Sequence, residues 1–172
     1  MTRDHRILGL CLAAILLATP SCDRGTAKDA PQAASSAAPI GLAECAACGM
    51  VVREQPAPRG QVVHRDGTRA FLCSLGDLAQ YLRSPSPHGD VTDVFVEVLT
   101  PSSDPAQKDT SEQPWVRAAD AVYVVGVARE GVMGRPVLAY RSRADAQKAL
   151  AHAGGEIRGF DEMKRWVLSG TH

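Results

Sequence analysis

The sequence has no surplus of charge of either sign: 19 Lys and Arg stand against 19 Asp and Glu over 172 residues, a formal net charge of zero. Without a basic excess there is no electrostatic footprint for a phosphate backbone, so no nucleic-acid partner is expected. The apolar run from Ile7 to Ala18 is too short to favour a lasting transmembrane helix. No nucleophile stands beside a base in a recognisable pattern. The chain has no Gly-rich phosphate loop, no His-Glu-x-x-His and no Gly-x-Ser-x-Gly. The scattered carboxylates are sufficiently explained as solvated surface, so the chain reads as a non-enzyme. Cysteine is scarce, at five residues, and their positions matter more than their number.

What is present begins with an export signal. Arg3 and Arg6 precede the apolar run, and Thr19-Pro20-Ser21 then leads to Cys22. This has the form of a bacterial lipoprotein signal over residues 1–21. Ser21 is the small residue before an acylated Cys22, although Thr19 replaces the usual aliphatic residue. Acyl chains add about 0.8 kcal/mol of membrane affinity per buried methylene, so several on one cysteine would anchor the chain stably. The expected location is the periplasmic side of a bacterial membrane, and Asp23 after the lipid cysteine points to the inner one. Cys11 leaves with the signal and Cys22 is alkylated, which leaves Cys45, Cys48 and Cys73. An odd number of thiols in an oxidising compartment cannot close into disulfides alone, so at least one is free or metal-bound.

Residues 22–39 are rich in Ala, Ser and Pro without apolar periodicity, which predicts a flexible tether. Folding is expected from Ile40. Val51-Val52, Gln61 to Val63 and Thr68 to Cys73 read as strands, the last two joined by an Asp66-Gly67 turn. Ser74-x-x-Asp77 has the spacing of a helix N-cap, and Leu75, Leu78, Ala79 and Leu82 follow at helical spacing. Ser84-Pro85-Ser86-Pro87 stops that helix, and Asp93 to Leu99 is β-prone. Residues 101–114, polar and carrying three prolines and four charges, predict a mobile connecting loop. From 115 to 172 the plan recurs. Strands are expected at Ala121 to Ala128, Pro136 to Arg141 and Glu156 to Arg158, and a Ser142-x-x-Asp145 helix start precedes the last of them. A final helix carries Phe160, Met163 and Val167. The predicted fold is α+β: two ββαβ units with mostly antiparallel strands, at 40–100 and 115–172, plus a C-terminal helix.

The stretch Cys45-Ala46-Ala47-Cys48-Gly49-Met50 carries the chemistry. Two thiols three residues apart can meet one ion, form a redox pair, or close a structural disulfide. Thiolate and thioether together are soft donors that favour Cu(I) over harder divalent ions. Met50 follows a Cys-Gly pair on a loop, and Met133 lies on a turn between Gly131 and Gly134; a lone Met is otherwise core packing. Cys73, between a strand and a helix, is either a buried small hydrophobe or a third thiolate. With His64 the three cysteines could instead form a structural zinc set. The candidate metal residues are therefore Cys45, Cys48, Met50, Cys73 and Met133. A periplasmic thiol–disulfide oxidoreductase using Cys45 and Cys48, or a zinc module, are the competing readings.

Taken in order, Cys45 to Val52, Phe71-Leu72-Cys73-Ser74, Trp115, Ala121 to Gly126, Gly131 to Gly134, Gly154-Gly155 and Phe160-Asp161-Glu162 resemble the NosL family of nitrous-oxide-reductase accessory lipoproteins. The resemblance runs from about Glu44 to Met163. It implies a lipid-anchored protein that binds one Cu(I) per monomer. It also implies delivery of copper for the copper–sulfur centre of nitrous oxide reductase, to the apoenzyme or its ABC-type maturation complex with a periplasmic β-helical protein. The implied fold is a doubled ββαβ unit. Where family members carry a histidine at the cysteine loop, Glu44 and Ala46-Ala47 stand here.

Overall fold

The computed structural model describes residues 36–129 and 134–170. The expected signal peptide, Cys22, most of the tether and Met133 lie outside them.

The first half builds β1 (Gly60–His64), β2 (Arg69–Leu72), α1 (Leu75–Tyr81) and β3 (Val91–Glu97). Asp66 and Gly67 make the predicted turn between β1 and β2. Gly67 adopts φ +84°, and the Asp66 carboxylate accepts the Thr68 N–H at 2.8 Å. Ser74 caps α1 by accepting the Asp77 N–H at 3.0 Å, as the Ser-x-x-Asp spacing predicts. Leu75, Leu78 and Ala79 then lie on its buried face.

The second half builds β4 (Trp115–Arg117), β5 (Val122–Val125), β6 (Val137–Tyr140), α2 (Arg143–Ala153), β7 (Glu156–Arg158) and α3 (Phe160–Ser169). Ser142 caps α2 by accepting the Asp145 N–H at 3.1 Å. At the corner between α2 and β7 only glycine fits. Gly155 has φ +98°, and a Cβ there would lie 2.3 Å from the Val125 carbonyl oxygen.

All named strand pairs are antiparallel, in two sheets of order β2-β1-β3-β4 and β6-β5-β7. The architecture is thus the expected mixture of helices and antiparallel sheet. Val51-Val52, read as a strand, instead enters a short 3-10 turn at Val52–Glu54. Trp115–Arg117, placed with the second half by sequence, pairs with β3 and belongs to the first sheet. One large core draws on both halves: Val52, Val62, Leu72, Leu75 and Leu78 pack with Tyr123, Val125, Val137 and Met163. A smaller core under α2 joins Leu138, Tyr140, Ala146 and Ala149.

The 101–114 connection, expected to be mobile, is tied down from beneath. Arg59 is fully buried and pairs with buried Glu97, with Nε to Oε2 at 2.6 Å and Nη2 to Oε1 at 2.7 Å. The same guanidinium donates to the carbonyls of Thr110 and Ser111, and Glu97 also accepts the Gln113 N–H. Polar residues in this loop follow from its exposed edge, while its backbone supplies acceptors to a buried charge. The tether side is also held earlier than expected: Ala38 exchanges two 2.9 Å hydrogen bonds with the buried Gln61 amide. Among the described residues no helix is long and apolar enough to cross a membrane.

Candidate metal centre

The cysteine loop is folded by its own backbone. Cys45 N–H donates to the Met50 carbonyl at 2.8 Å, and Gly49 N–H donates back to the Cys45 carbonyl at 2.8 Å. Gly49 permits the reversal with φ +76°. Beyond the turn, Glu44 bridges to Val51, and on the other side Cys45 bridges to Phe71 of β2. The Ala46 N–H closes this second contact on the Phe71 carbonyl at 2.9 Å. A turn of small residues is thereby zipped to a sheet strand, and the same strand delivers Cys73 one residue past its end.

This arrangement brings Cys45, Cys48 and Cys73 together. Their sulfurs and one carboxylate oxygen of Asp77 all lie within 4.8 Å of one another. Cys48 Sγ is 3.4 Å from Cys73 Sγ, and the Cys73 N–H donates to Cys45 Sγ at 3.4 Å. The Cys73 thiol donates to Asp77 Oδ2 at 3.0 Å. Cys45 and Cys73 are buried, whereas Cys48 is half-exposed, and all three are free thiols.

The electrostatics divide the set. Burial works to raise the Cys45 thiol, but the backbone N–H groups of Cys73, Ala47 and Cys48 aim at its sulfur and bring it below the ordinary thiol value. Burial pushes the Cys73 thiol far up, and the adjacent Asp77 carboxylate adds to this by accepting a hydrogen bond from the S–H and repelling the thiolate. Cys45 is thus shifted toward the thiolate, while its neighbour Cys73 is shifted the other way and holds a proton that a cation must displace.

The donor chemistry fits a soft ion. Metal–thiolate bonds of about 2.3 Å place the sulfurs of a three-coordinate site about 4 Å apart, inside the 4.8 Å spread of the donors. Three thiolates are the ligand type that selects Cu(I) or zinc from harder cations. The imidazole of the alternative zinc set is not there. His64 is fully buried elsewhere, with Nδ1 3.0 Å from the Gly89 carbonyl and Nε2 2.8 Å from the Tyr81 hydroxyl. Met50 is half-buried and packs against the main core. Asp77 was visible in the sequence only as a helix-capping residue. Its spacing of four from Cys73, across a helix start, was the available signal.

The NosL family model matches residues 40–168. The copper-binding lipoprotein NosL of Stutzerimonas stutzeri is 27% identical over 168 residues, covering 98% of this chain and 86% of that protein. The copper-binding lipoprotein NosL of Achromobacter cycloclastes is 31% identical over 117 residues, covering 64% of this chain and 58% of that protein. The crystal structure of the copper chaperone NosL from Shewanella denitrificans superposes with a TM-score of 0.62 at 30% identity, covering 74% of this chain and 94% of that one.

Proposed function

The chain belongs to the NosL family, and on that premise we propose that it is a Cu(I) chaperone, anchored by lipid at Cys22 on the periplasmic side of the membrane. It carries one ion per monomer and gives it up for assembly of the copper centre of nitrous oxide reductase. The receiver is the apoenzyme or its membrane ABC-type complex with a β-helical periplasmic protein. The observation that carries this reading is the convergence of three thiols from two distant segments.

Copper is cargo in this reading. Cys48, the half-exposed thiol, meets the ion first, and Cys45 and Cys73 complete a sulfur set as the Cys73 proton leaves. Met50 and Met133 are the further soft donors, one from each half. A site of two or three sulfurs keeps a coordination position open, through which a partner's Met or Cys side chain can attack and draw the ion away. The 3.4 Å approach of Cys48 to Cys73 favours one second reading, thiol–disulfide exchange. It would use that pair rather than Cys45 with Cys48.

The test is titration of the reduced full-length protein with Cu(I) against a competing chelator, with X-ray absorption of the bound form. One ion per chain in an all-sulfur or sulfur-rich shell is expected, with affinity sharply reduced in Cys48→Ser, Cys73→Ser and Met133→Leu. Wild-type affinity in both cysteine variants would move the site elsewhere. Turnover of a disulfide with a thiol substrate, without copper binding, would favour the second reading.

A further inference from the structure

Away from the sulfur cluster, the molecule holds a second buried cation in a different situation from Arg59. Arg129 is 9% exposed, yet among the described residues no carboxylate hydrogen-bonds to it. Nη1 donates to the Ala57 carbonyl and Nη2 to the Gln107 carbonyl, both at 2.6 Å, and Nε is buried without a partner. A guanidinium has five N–H donors, and Nε–H lies parallel to a neighbouring Nη–H in the fork that matches a planar oxyanion. Arg59 shows that same fork filled, by the Glu97 carboxylate. At Arg129 only the Nε–H of that edge has no partner, the adjoining Nη2 already donating to Gln107.

The surroundings say what belongs there. Arg129 lines a cavity of about 610 Å³ under the 100–109 segment, together with Thr100, Ser102, Ser103 and Lys108. Asp104 and Asp109 also line it. Asp109 lies within electrostatic reach of the guanidinium, but its oxygens are already engaged by the Ser111 N–H and hydroxyl and by the Gln113 amide. Asp104 likewise accepts from the Ala106 N–H and the Gln107 amide. The Tyr140 hydroxyl, also buried and without a partner, is electrostatically coupled to Arg129 and lines an adjoining cavity that shares Ser103. Asp109 offsets part of the guanidinium charge from a distance, but the buried Nε–H keeps no hydrogen-bond partner, and an unsatisfied buried donor is costly.

We propose that the cavity along residues 100–109 is a binding site for a small oxyanion of the carboxylate class, which draws the closed-off, unpartnered Nε edge of Arg129 toward it and is flanked by Lys108 and the Thr100, Ser102 and Ser103 hydroxyls. The site is separate in residues from the sulfur cluster and does not depend on the copper reading. Its ligand is a free metabolite-sized anion with one or two carboxylates; phosphate, tetrahedral rather than planar, meets the fork less well.

The experiment uses the full-length chain without metal, in a chloride-free, non-coordinating buffer. Acetate, succinate and inorganic phosphate are titrated by calorimetry and by the thermal unfolding midpoint. The expected result is saturable one-to-one binding of succinate or acetate, with a matching rise in the midpoint and weaker binding of phosphate. Lys108→Gln, an exposed change that leaves the clamp intact, should weaken binding several-fold and flatten its salt dependence. Arg129→Gln should abolish it, with far-ultraviolet circular dichroism checking that the variant folds. If Arg129→Gln does not fold, the Lys108→Gln result decides. No saturable binding of any of the three anions, or carboxylate binding unchanged in Lys108→Gln, overturns the proposal.

Discussion

Replacing Glu97 by Gln tests the claim that a buried ion pair holds the long connection and the turn below the cysteine loop. Glu97 Oε2 accepts the Arg59 backbone N–H at 3.0 Å and Nε at 2.6 Å, while Oε1 accepts Arg59 Nη2 at 2.7 Å and the Gln113 N–H at 2.9 Å. Whichever way a glutamine amide is turned, its NH2 faces two of these donors, so two bonds are lost and Arg59 is left buried without its counter-charge. Breaking such a pair costs about 3–5 kcal/mol, a large share of the roughly 5–15 kcal/mol that holds a domain folded. With a urea m-value of about 2 kcal/mol/M, the unfolding midpoint should fall by about 2 M. Urea titration followed by Trp fluorescence reads this directly. The double change Arg59→Met with Glu97→Leu removes both charges but leaves the Arg59 and Gln113 N–H groups without their acceptor, so it should recover only part of the loss. A Glu97→Gln midpoint within about 0.5 M of wild type would refute the claim that this pair supports the connection.

Three further outcomes follow from the same geometry. Asp77→Asn removes a carboxylate that, after burial, holds the Cys73 thiol up; ultraviolet thiolate absorbance should show that thiol titrating at lower pH, and an unchanged curve would assign the shift to burial alone. Asp109 is held below the usual carboxylate value, chiefly by the Ser111 hydroxyl and backbone N–H. Its contribution to stability is therefore complete above the unfolded value of 3.8 and is lost as pH falls through the lower folded one. Asp109→Asn should flatten the decline of the thermal midpoint below pH 4 in a pH series. Gly155→Ala forces a side chain into the Val125 carbonyl and a strained φ, and should cost upwards of about 2 kcal/mol in chemical denaturation.

Local signals were readable where one segment determines its own shape. The paired Ser-x-x-Asp helix starts, the Asp66-Gly67 turn and the Glu156–Arg158 strand all stand where spacing puts them. The meeting of Cys73 with Cys45 and Cys48 was only one of two readings open at that position, because it depends on a bridge between Cys45 and Phe71 that no local pattern encodes. The buried pairing of Arg59 with Glu97 spans 38 residues, and a polar loop sequence looks the same whether or not a guanidinium beneath it captures its carbonyls. Trp115–Arg117 sits on the first sheet for a related reason: edge pairing is chosen by the partner strand. Asp77 was hidden by doing two things at once, accepting the hydroxyl of the Ser74 cap and accepting the Cys73 thiol.

Burial is uneven around the three sulfurs: Cys45 and Cys73 are enclosed and only Cys48 reaches the outside. Any newcomer, whether an arriving ion or a competing donor from another protein, therefore meets Cys48 before the other two. Exchange at such a centre has a front and a back, with Cys48 at the front.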